Sequence, residues 1–212
     1  FDAFEPVSLL TRTPPIYGAH PNTPYNTVKE LVAYAKEHPG EVNVGATLGS
    51  TSHFWYLILA DRTGVEFNYV SYDGTRERMT ALLANTINTG EINLAAAKQY
   101  ITSNELKALG IATAERDPRI PNVPTLKEQG YDLVMGTDRG IVLPKGTSDA
   151  VIDHYASVFK QAAEDPEVKA QMEAKGTLVN YLGPDEYKAY FEETFADWES
   201  ISKKVGLYNV SS

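Results

Sequence analysis

The residues best suited to binding chemistry lie in one segment, Gly45 to His53, between an expected strand and an expected helix. Glycines there let backbone N–H groups converge on a ligand beside the positive end of the helix dipole. Three consecutive hydroxyl residues add donors, so the segment suits a carboxylate or a phosphate. It lacks a Walker-loop lysine and the dinucleotide spacing, which argues against nucleotides. The alternative is an ordinary helix cap by Ser50 or Thr51.

A second turn, Tyr72-Asp73-Gly74-Thr75, follows the next expected strand and leads into another helix. In an open α/β sheet, ligands bind outside the carboxyl ends of the strands. Two neighbouring turns with donors therefore predict a single crevice. The alternative interpretation is an ordinary Asp-Gly turn that caps a helix.

Arg139 lies between Asp138 and Gly140 and has the planar fork of donors that holds a carboxylate through two hydrogen bonds. A surface ion pair with Asp138 or Glu128 is the alternative.

A hydrolase-like enzyme that uses Ser50 or Ser52 with His53 is the competing functional class. No G-x-S-x-G elbow precedes these residues, and a serine hydrolase also needs an orienting acid and an oxyanion hole. Three other histidines are dispersed without metal-ligand spacing; they are His20, His38 and His154.

Composition narrows the function classes further. The chain has 212 residues, a net charge of −9 and no cysteine. An acidic chain is a poor nucleic-acid binder. The missing thiols rule out disulfides, thiolate catalysis and cysteine-ligated zinc. No stretch approaches the roughly 18 to 20 apolar residues that cross a bilayer.

Alternating strand and helix patterns predict an α/β fold with open sheets and right-handed crossovers. An extended segment over 6–19 is broken at Pro14-Pro15. Helices are predicted over 27–37, 50–61, 75–85, 149–175 with a break at 165–166, and 184–205, with a short one ending at Gly130. Strands are predicted over 41–46, 65–72, 91–97, 106–114 and 177–182, with one or two over 131–143.

The order of these motifs resembles the periplasmic solute-binding receptors of tripartite tricarboxylate transporters, the Bug receptors. The match runs through nearly the whole chain. The matching stretches are 4–8 (FEPVS), 27–31 (TVKEL), 35–40 (AKEHPG), 49–53 (GSTSH), 70–74 (VSYDG), 116–126 (RDPRIPNVPTL), 128–130 (EQG), 139–140 (RG), 143–147 (LPKGT) and 165–168 (DPEV).

The resemblance implies a periplasmic-binding-protein-like fold of two α/β lobes that close on a ligand like a venus flytrap. It also implies that the chain begins partway through the receptor, without the N-terminal part of the first lobe and with the signal peptide removed. Residues 1–19 are then a hinge and first-lobe remnant, residues 20–138 the second lobe, and residues 139–212 the returning first-lobe segment with a long C-terminal helix.

By the same resemblance, the protein is a monomeric receptor in the periplasm of a Gram-negative bacterium. It captures a small organic carboxylate in an interlobe cleft without chemistry, cofactor or metal, and delivers it to the membrane subunits of a transporter. The implied ligand-binding residues are Ala46, Thr47, Gly49, Ser50, Thr51, Ser52, His53, Tyr72, Asp73, Gly74, Ala96, Arg139 and Gly140.

Three positions depart from the family pattern. The loop between Gly45 and Gly49 is one residue shorter than usual, Asp73 replaces a common lysine, and Ala84-Asn85-Thr86 replaces a Gly-Gly-Gln helix end. The loop and Asp73 lie at the expected ligand site and leave the identity of the ligand open. By the resemblance, a tricarboxylate, a dicarboxylate, an acidic amino acid or an aromatic acid is possible, because the shape of the pocket depends on the missing first-lobe segment.

Overall fold

The structure is a computed structural model that describes residues 3–207. These residues form two compact units, one of residues 14–136 and one of residues 3–13 with 137–207. The first division follows Thr13, because Pro14 and Pro15 offer no backbone N–H and end a strand ladder. The expected lobe boundaries, after 19 and after 138, therefore differ from the boundaries of these units.

The unit of residues 14–136 contains five strands and four helices. In chain order these are β2 (Ile16–Ala19), α1 (Val28–Glu37), β3 (Asn43–Ala46), α2 (Thr51–Thr63), β4 (Asn68–Ser71), α3 (Thr75–Leu83), β5 (Thr89–Ile92), α4 (Leu94–Thr102) and β6 (Lys107–Ile111).

The other unit contains three strands and three helices. These are β1 (Phe4–Thr13), β7 (Thr137–Pro144), α5 (Asp149–Glu164), α6 (Pro166–Ala174), β8 (Leu178–Leu182) and α7 (Pro184–Lys204).

The five-stranded sheet has the order β4-β3-β5-β2-β6. Strand β3 runs parallel to β4 and β5, whereas β2 runs antiparallel to β5 and β6. The carboxyl ends of β3, β4 and β5 therefore lie at one edge of the sheet, and each is followed by a helix. This edge positions the N-termini of α2, α3 and α4 side by side.

Strand alternation divides the core of this unit into two clusters, because successive side chains point to opposite faces. Tyr17 packs with Leu31 and Trp55 in one cluster. Its neighbour Ile16 packs with Leu82 and Ile92 in the other.

The α/β fold is confirmed, and most predicted elements are present with shifted ends. Thr27 caps α1 by accepting a hydrogen bond from the Glu30 N–H. The predicted break at Asp165-Pro166 divides α5 from α6, and the Asp165 side chain caps α6.

Three sequence expectations are wrong. Residues 94–97 of the expected 91–97 strand lie in helix α4, because the Asn93 side chain caps a helix of Leu and Ala residues. The short helix expected before Gly130 is a series of turns. The apolar spacing of Tyr187, Phe191, Phe195 and Trp198 predicts that these side chains face inward on α7, but Phe195 is 44% exposed.

The three-stranded sheet has the order β7-β1-β8, with antiparallel pairing throughout. Arg12 on β1 donates to Asp138 on β7 from Nε at 2.7 Å and from Nη2 at 2.9 Å. The Tyr190 hydroxyl on α7 also contacts both side chains. Helix α7 is thus fastened to the centre of this sheet.

No helix among residues 3–207 is long and apolar enough to span a membrane.

Gly140→Ala should destabilise this unit by about 1–3 kcal/mol, the usual cost of overpacking. A Cβ at Gly140 would lie 2.7 Å from the Ser8 carbonyl oxygen and 2.6 Å from the Tyr187 hydroxyl. Urea unfolding followed by circular dichroism measures the change in free energy of unfolding. Val142→Ala, on the same strand and 37% exposed, is the control and should cost less than about 1 kcal/mol. Equal losses for the two variants would contradict the packing argument.

Candidate functional site

The loop after β3 and the turn after β4 lie next to each other at the edge of the five-stranded sheet. Ala46 pairs with Ser71 at the ends of the two strands. One residue further on, the Tyr72 N–H donates to the Ala46 carbonyl at 2.9 Å. The structure therefore brings together the two segments that the sequence analysis singled out.

The loop is stabilised by its own polar groups. The Thr47 N–H donates to Ser52 Oγ at 3.1 Å, and the Ser50 N–H donates to the Thr47 carbonyl at 3.0 Å. Gly49 has a φ of +77°, in the left-handed region that glycine adopts without strain. These bonds turn the chain into α2 within four residues.

The hydrogens of both serine hydroxyls point inside the loop. Ser50 Oγ donates to the Thr47 carbonyl at 2.8 Å, so its contact with Ser52 Oγ at 3.0 Å must be donated by Ser52. The expectation that these two hydroxyls serve as anion donors is therefore not met in this conformation. Among residues 3–207, the amide hydrogens of Leu48 and Ser52 have no acceptor and remain available at the N-terminus of α2.

A buried cation lies beneath the loop. Arg78 on α3 has a side chain only 2% exposed, and its Nη1 donates to Ser52 Oγ at 3.5 Å. Nη2 donates to Thr75 Oγ1 at 3.4 Å and to the Glu91 carboxylate. Nε donates to the Glu91 carbonyl at 2.9 Å. The guanidinium thus bonds to β5 and to the first turn of both α2 and α3.

Glu91 supplies the charge that makes this burial possible. Burial raises the pKa of Glu91 above the ordinary carboxyl range, and the adjacent guanidinium of Arg78 limits that rise. Neither Arg78 nor Glu91 is among the site residues predicted from the sequence. Glycines within two neighbouring strands were the available signal, since such glycines mark a close approach of other groups. A Cβ at Gly45 would lie 3.1 Å from Arg78 Cγ, and one at Gly90 would lie 3.3 Å from Arg78 Cδ.

The turn after β4 carries negative charge. The Glu77 carboxylate reaches back to accept from the Asp73 N–H at 3.1 Å, so that amide is already used. Asp73 itself is exposed. In the described part of the chain, the amide hydrogens of Gly74 and Thr75 have no acceptor, so this turn still offers donors at the start of α3.

His53 is a buried, loop-supporting residue. It is 7% exposed, and its Nδ1 accepts from the Gly49 N–H at 3.2 Å. Its ring meets Tyr69 edge-on, with centroids 4.6 Å apart. Burial lowers the pKa of His53 below its usual value. With Nδ1 occupied, this nitrogen is not directed at the Ser50 or Ser52 hydroxyl, as a nucleophile's base would be.

The remaining predicted site residues lie outside the two turns. Ala96 is in the first turn of α4, not at the end of a strand, and its N–H donates to Asn93 Oδ1 at 2.9 Å. Arg139 and Gly140 belong to the other unit. The exposed Arg139 donates to Thr13 Oγ1 at 3.0 Å, while Asp138 bonds to Arg12 and Glu128 bonds to Arg116.

Comparisons with known proteins agree on one family. The model of the tripartite tricarboxylate transporter family receptor matches residues 1–207. The "UPF0065 protein in gbd 5'region" of Cupriavidus necator is 30% identical over 187 residues, which are 88% of this chain and 57% of that protein. The chain thus spans a little over half the length of this relative.

Two solved structures share the fold. A TctC solute binding protein from Polaromonas superposes with a TM-score of 0.82 at 26% identity, covering 95% of this chain and 69% of that one. MatC from Rhodopseudomonas palustris with bound malate gives a TM-score of 0.76 at 27% identity, covering 93% and 69%. These matches confirm the expected resemblance and the class of fold.

Lowering the pH should destabilise the protein through His53. Its pKa is lowered in the folded state, so below the ordinary histidine pKa of about 6.5 the unfolded chain binds the extra proton. The contribution of His53 is therefore complete above that pH and is lost as the pH falls from there to the lower pKa of the folded state.

Thermal midpoints of the wild type and of His53→Gln, measured between pH 7.5 and 5.5, test this. The difference between the wild type and the variant should shrink toward acid pH. His154→Gln, at an exposed position on α5, is the control. A constant difference between the wild type and His53→Gln would show that His53 does not contribute this pH dependence.

Proposed function

We propose, on the premise that this chain belongs to the tripartite tricarboxylate transporter receptor family, that it captures a small organic carboxylate. The observation that carries the proposal is the pair of adjoining turns after β3 and β4, each with unpaired amide hydrogens at a helix N-terminus. A helix N-terminus favours an anion through its N–H groups and its dipole. MatC, solved with malate, supports a carboxylate as the ligand.

In this proposal the donors are backbone amides. The N–H groups of Leu48 and Ser52 at α2, with those of Gly74 and Thr75 at α3, bind carboxylate oxygens. The two serine hydroxyls hold the loop in shape, since Ser50 donates to the Thr47 carbonyl and Ser52 donates to Ser50. Amides fixed in this way need no reordering when the ligand arrives, which favours affinity.

The residues of the other unit enter the proposal through Arg139. Its exposed guanidinium provides two parallel donors for a second carboxylate group. The predicted interlobe cleft and its closure on the ligand belong to this part of the proposal. Arg139→Gln, which keeps a donor and removes the charge, is expected to weaken binding of a dicarboxylate more than that of a monocarboxylate.

Receptor function without chemistry is favoured over hydrolysis. A hydrolase would need His53 to accept a proton from Ser50 or Ser52, whereas its Nδ1 accepts from Gly49 and the serine hydrogens point elsewhere. A periplasmic location and delivery to the membrane subunits of a transporter complete the proposal, on the strength of the family match.

Ligand titration tests the proposal. Malate is titrated into the protein by calorimetry, with its neutral diamide as the matched control, and succinate and adipate extend the panel. Malate should release or absorb heat and raise the thermal midpoint, because a ligand that binds only the folded state adds about 2.7 kcal/mol at a hundred times its Kd. The diamide should do neither. Equal responses to malate and its diamide, or none to any acid at millimolar concentration, would refute carboxylate capture.

Asp73→Asn should tighten malate binding by roughly two- to fivefold at low salt, because it removes an exposed like charge beside the amides. The gain should shrink at 0.5 M salt, where exposed charges are screened. Calorimetry at the two salt concentrations measures the change in Kd. Asp132→Asn removes the same charge from another exposed position of this unit. An equal gain from that control would mean that Asp73 has no local effect on the ligand.

A further inference from the structure

The side chain of Arg78 lies between the two turns of the candidate site. Its Nη1 bonds to Ser52 in the first turn of α2 at 3.5 Å, and its Nη2 bonds to Thr75 in the first turn of α3 at 3.4 Å. With 2% of its side chain exposed, Arg78 is poorly placed to contact a ligand itself. A role for this residue must therefore act through the groups that it holds.

We propose that Arg78 is the positioning residue of the carboxylate site. Its guanidinium joins Ser52 to Thr75, so that the amides of both turns face one ligand. The inference rests on the proposed function for the identity of the ligand. The arrangement that it assigns to the two turns exists without a ligand and is measurable on its own.

Glu91 on β5 holds the Arg78 guanidinium in one orientation. Its Nε donates to the Glu91 carbonyl at 2.9 Å, and its Nη2 also contacts the Glu91 carboxylate. Its aliphatic stem lies against Gly45 and Gly90, where a Cβ would approach it to 3.1 and 3.3 Å. An arginine fork has fixed geometry, so restraining one edge of it orients the other edge. Strand β5 therefore fixes the direction of the donors that reach the two turns.

Ser52 transmits this restraint to the loop. It is 4% exposed, and its Oγ accepts from the Thr47 N–H at 3.1 Å while donating to Ser50 Oγ at 3.0 Å. Ser50 is the N-cap residue of α2. The Arg78–Ser52 distance is long for a hydrogen bond, but a charged donor in a buried environment retains its attraction at that length. Moving Arg78 should therefore loosen both ends of the loop.

Replacing both Arg78 and Glu91 separates the positioning role of Arg78 from the effect of the ion pair on the stability of the protein. Arg78→Met alone would leave the Glu91 carboxylate buried without its partner, whereas Arg78→Met with Glu91→Leu removes the pair together, which proteins often tolerate. The matched control is Arg116→Met with Glu128→Leu. That ion pair, 2.9 Å long, is exposed in the same unit.

Hydrogen exchange of the ligand-free protein, followed by mass spectrometry, is the first measurement. In the Arg78/Glu91 double variant, amides in residues 47–54 should exchange at least tenfold faster than in the wild type. Those of residues 107–111, on β6, should be unchanged, because local opening is specific to the segment that has lost its restraint. The Arg116/Glu128 variant should match the wild type in both segments.

Malate binding by calorimetry is the second measurement. The Arg78/Glu91 variant should bind malate about tenfold more weakly, since misplaced contacts lose binding geometry, and the control pair should bind like the wild type. Ser52→Ala should reproduce most of the loss. Combining Ser52→Ala with the Arg78/Glu91 variant should add little further, because both changes break one chain of contacts.

Each result decides the inference. Unchanged exchange in residues 47–54, or malate affinity within twofold of the wild type in a folded Arg78/Glu91 variant, would overturn it. If that variant fails to fold, Ser52→Ala decides, because it disconnects the loop while leaving the ion pair intact. A wild type that binds no malate but shows the expected exchange pattern would refute the proposed ligand and leave the positioning role standing.

Discussion

The burial of the Arg78 guanidinium, which is almost completely removed from water, is the constraint on which the sheet of residues 14–136 depends. Arg78 needs a counterion and acceptors, and Glu91 provides a carboxylate and a carbonyl for it. Breaking such a buried pair from one side costs about 3–5 kcal/mol, comparable to the stability of many small domains. The facing glycines of β3 and β5, Gly45 and Gly90, give the arginine stem the room it requires. The pairing of Gly45 with Gly90, the absence of a Cβ at both positions and the Arg78–Glu91 ion pair therefore depend on one another.

The same arrangement explains how an acidic chain can offer hydrogen-bond donors to an anion. The net charge is −9, and the turn after β4 adds Asp73 and Glu77. The donors at the sheet edge are dipoles of the backbone, whose attraction depends on distance and direction more than on the total charge of the protein. Ser52 donates to Ser50 and Ser50 donates to the Thr47 carbonyl, which leaves the amides of Leu48, Ser52, Gly74 and Thr75 without acceptors among the described residues.

The sequence allowed elements with strong local signals to be predicted. Helix α1 combines apolar spacing with a Thr27 cap, and the division between α5 and α6 follows from a capping Asp165 and a proline. The expected strand over 91–97 failed because an apolar run fits a strand or a helix equally well, and the cap by Asn93 decides between them. The position of the two turns was predictable, since parallel strands end at one edge.

The internal chemistry of the site was not predictable to the same extent. In the sequence, Arg78 is one of several charged residues in a helix, and its burial depends on a partner thirteen residues away in another element. The direction of the serine hydrogens likewise depends on which carbonyl lies within reach of Ser50. Such features arise from three-dimensional proximity, which local patterns do not encode.

The division of the chain also has a consequence for the order of folding during synthesis. Strand β1, ten residues long, is translated before the unit of residues 14–136, and its partners β7 and β8 are translated only after that unit. Domains fold as units as they leave the ribosome. The five-stranded sheet can therefore close before β1 meets β7 and β8, and a strand that lacks its partners favours association with other chains. The pairing of β1 with β7 and β8 therefore waits until residues 137–182 have been made.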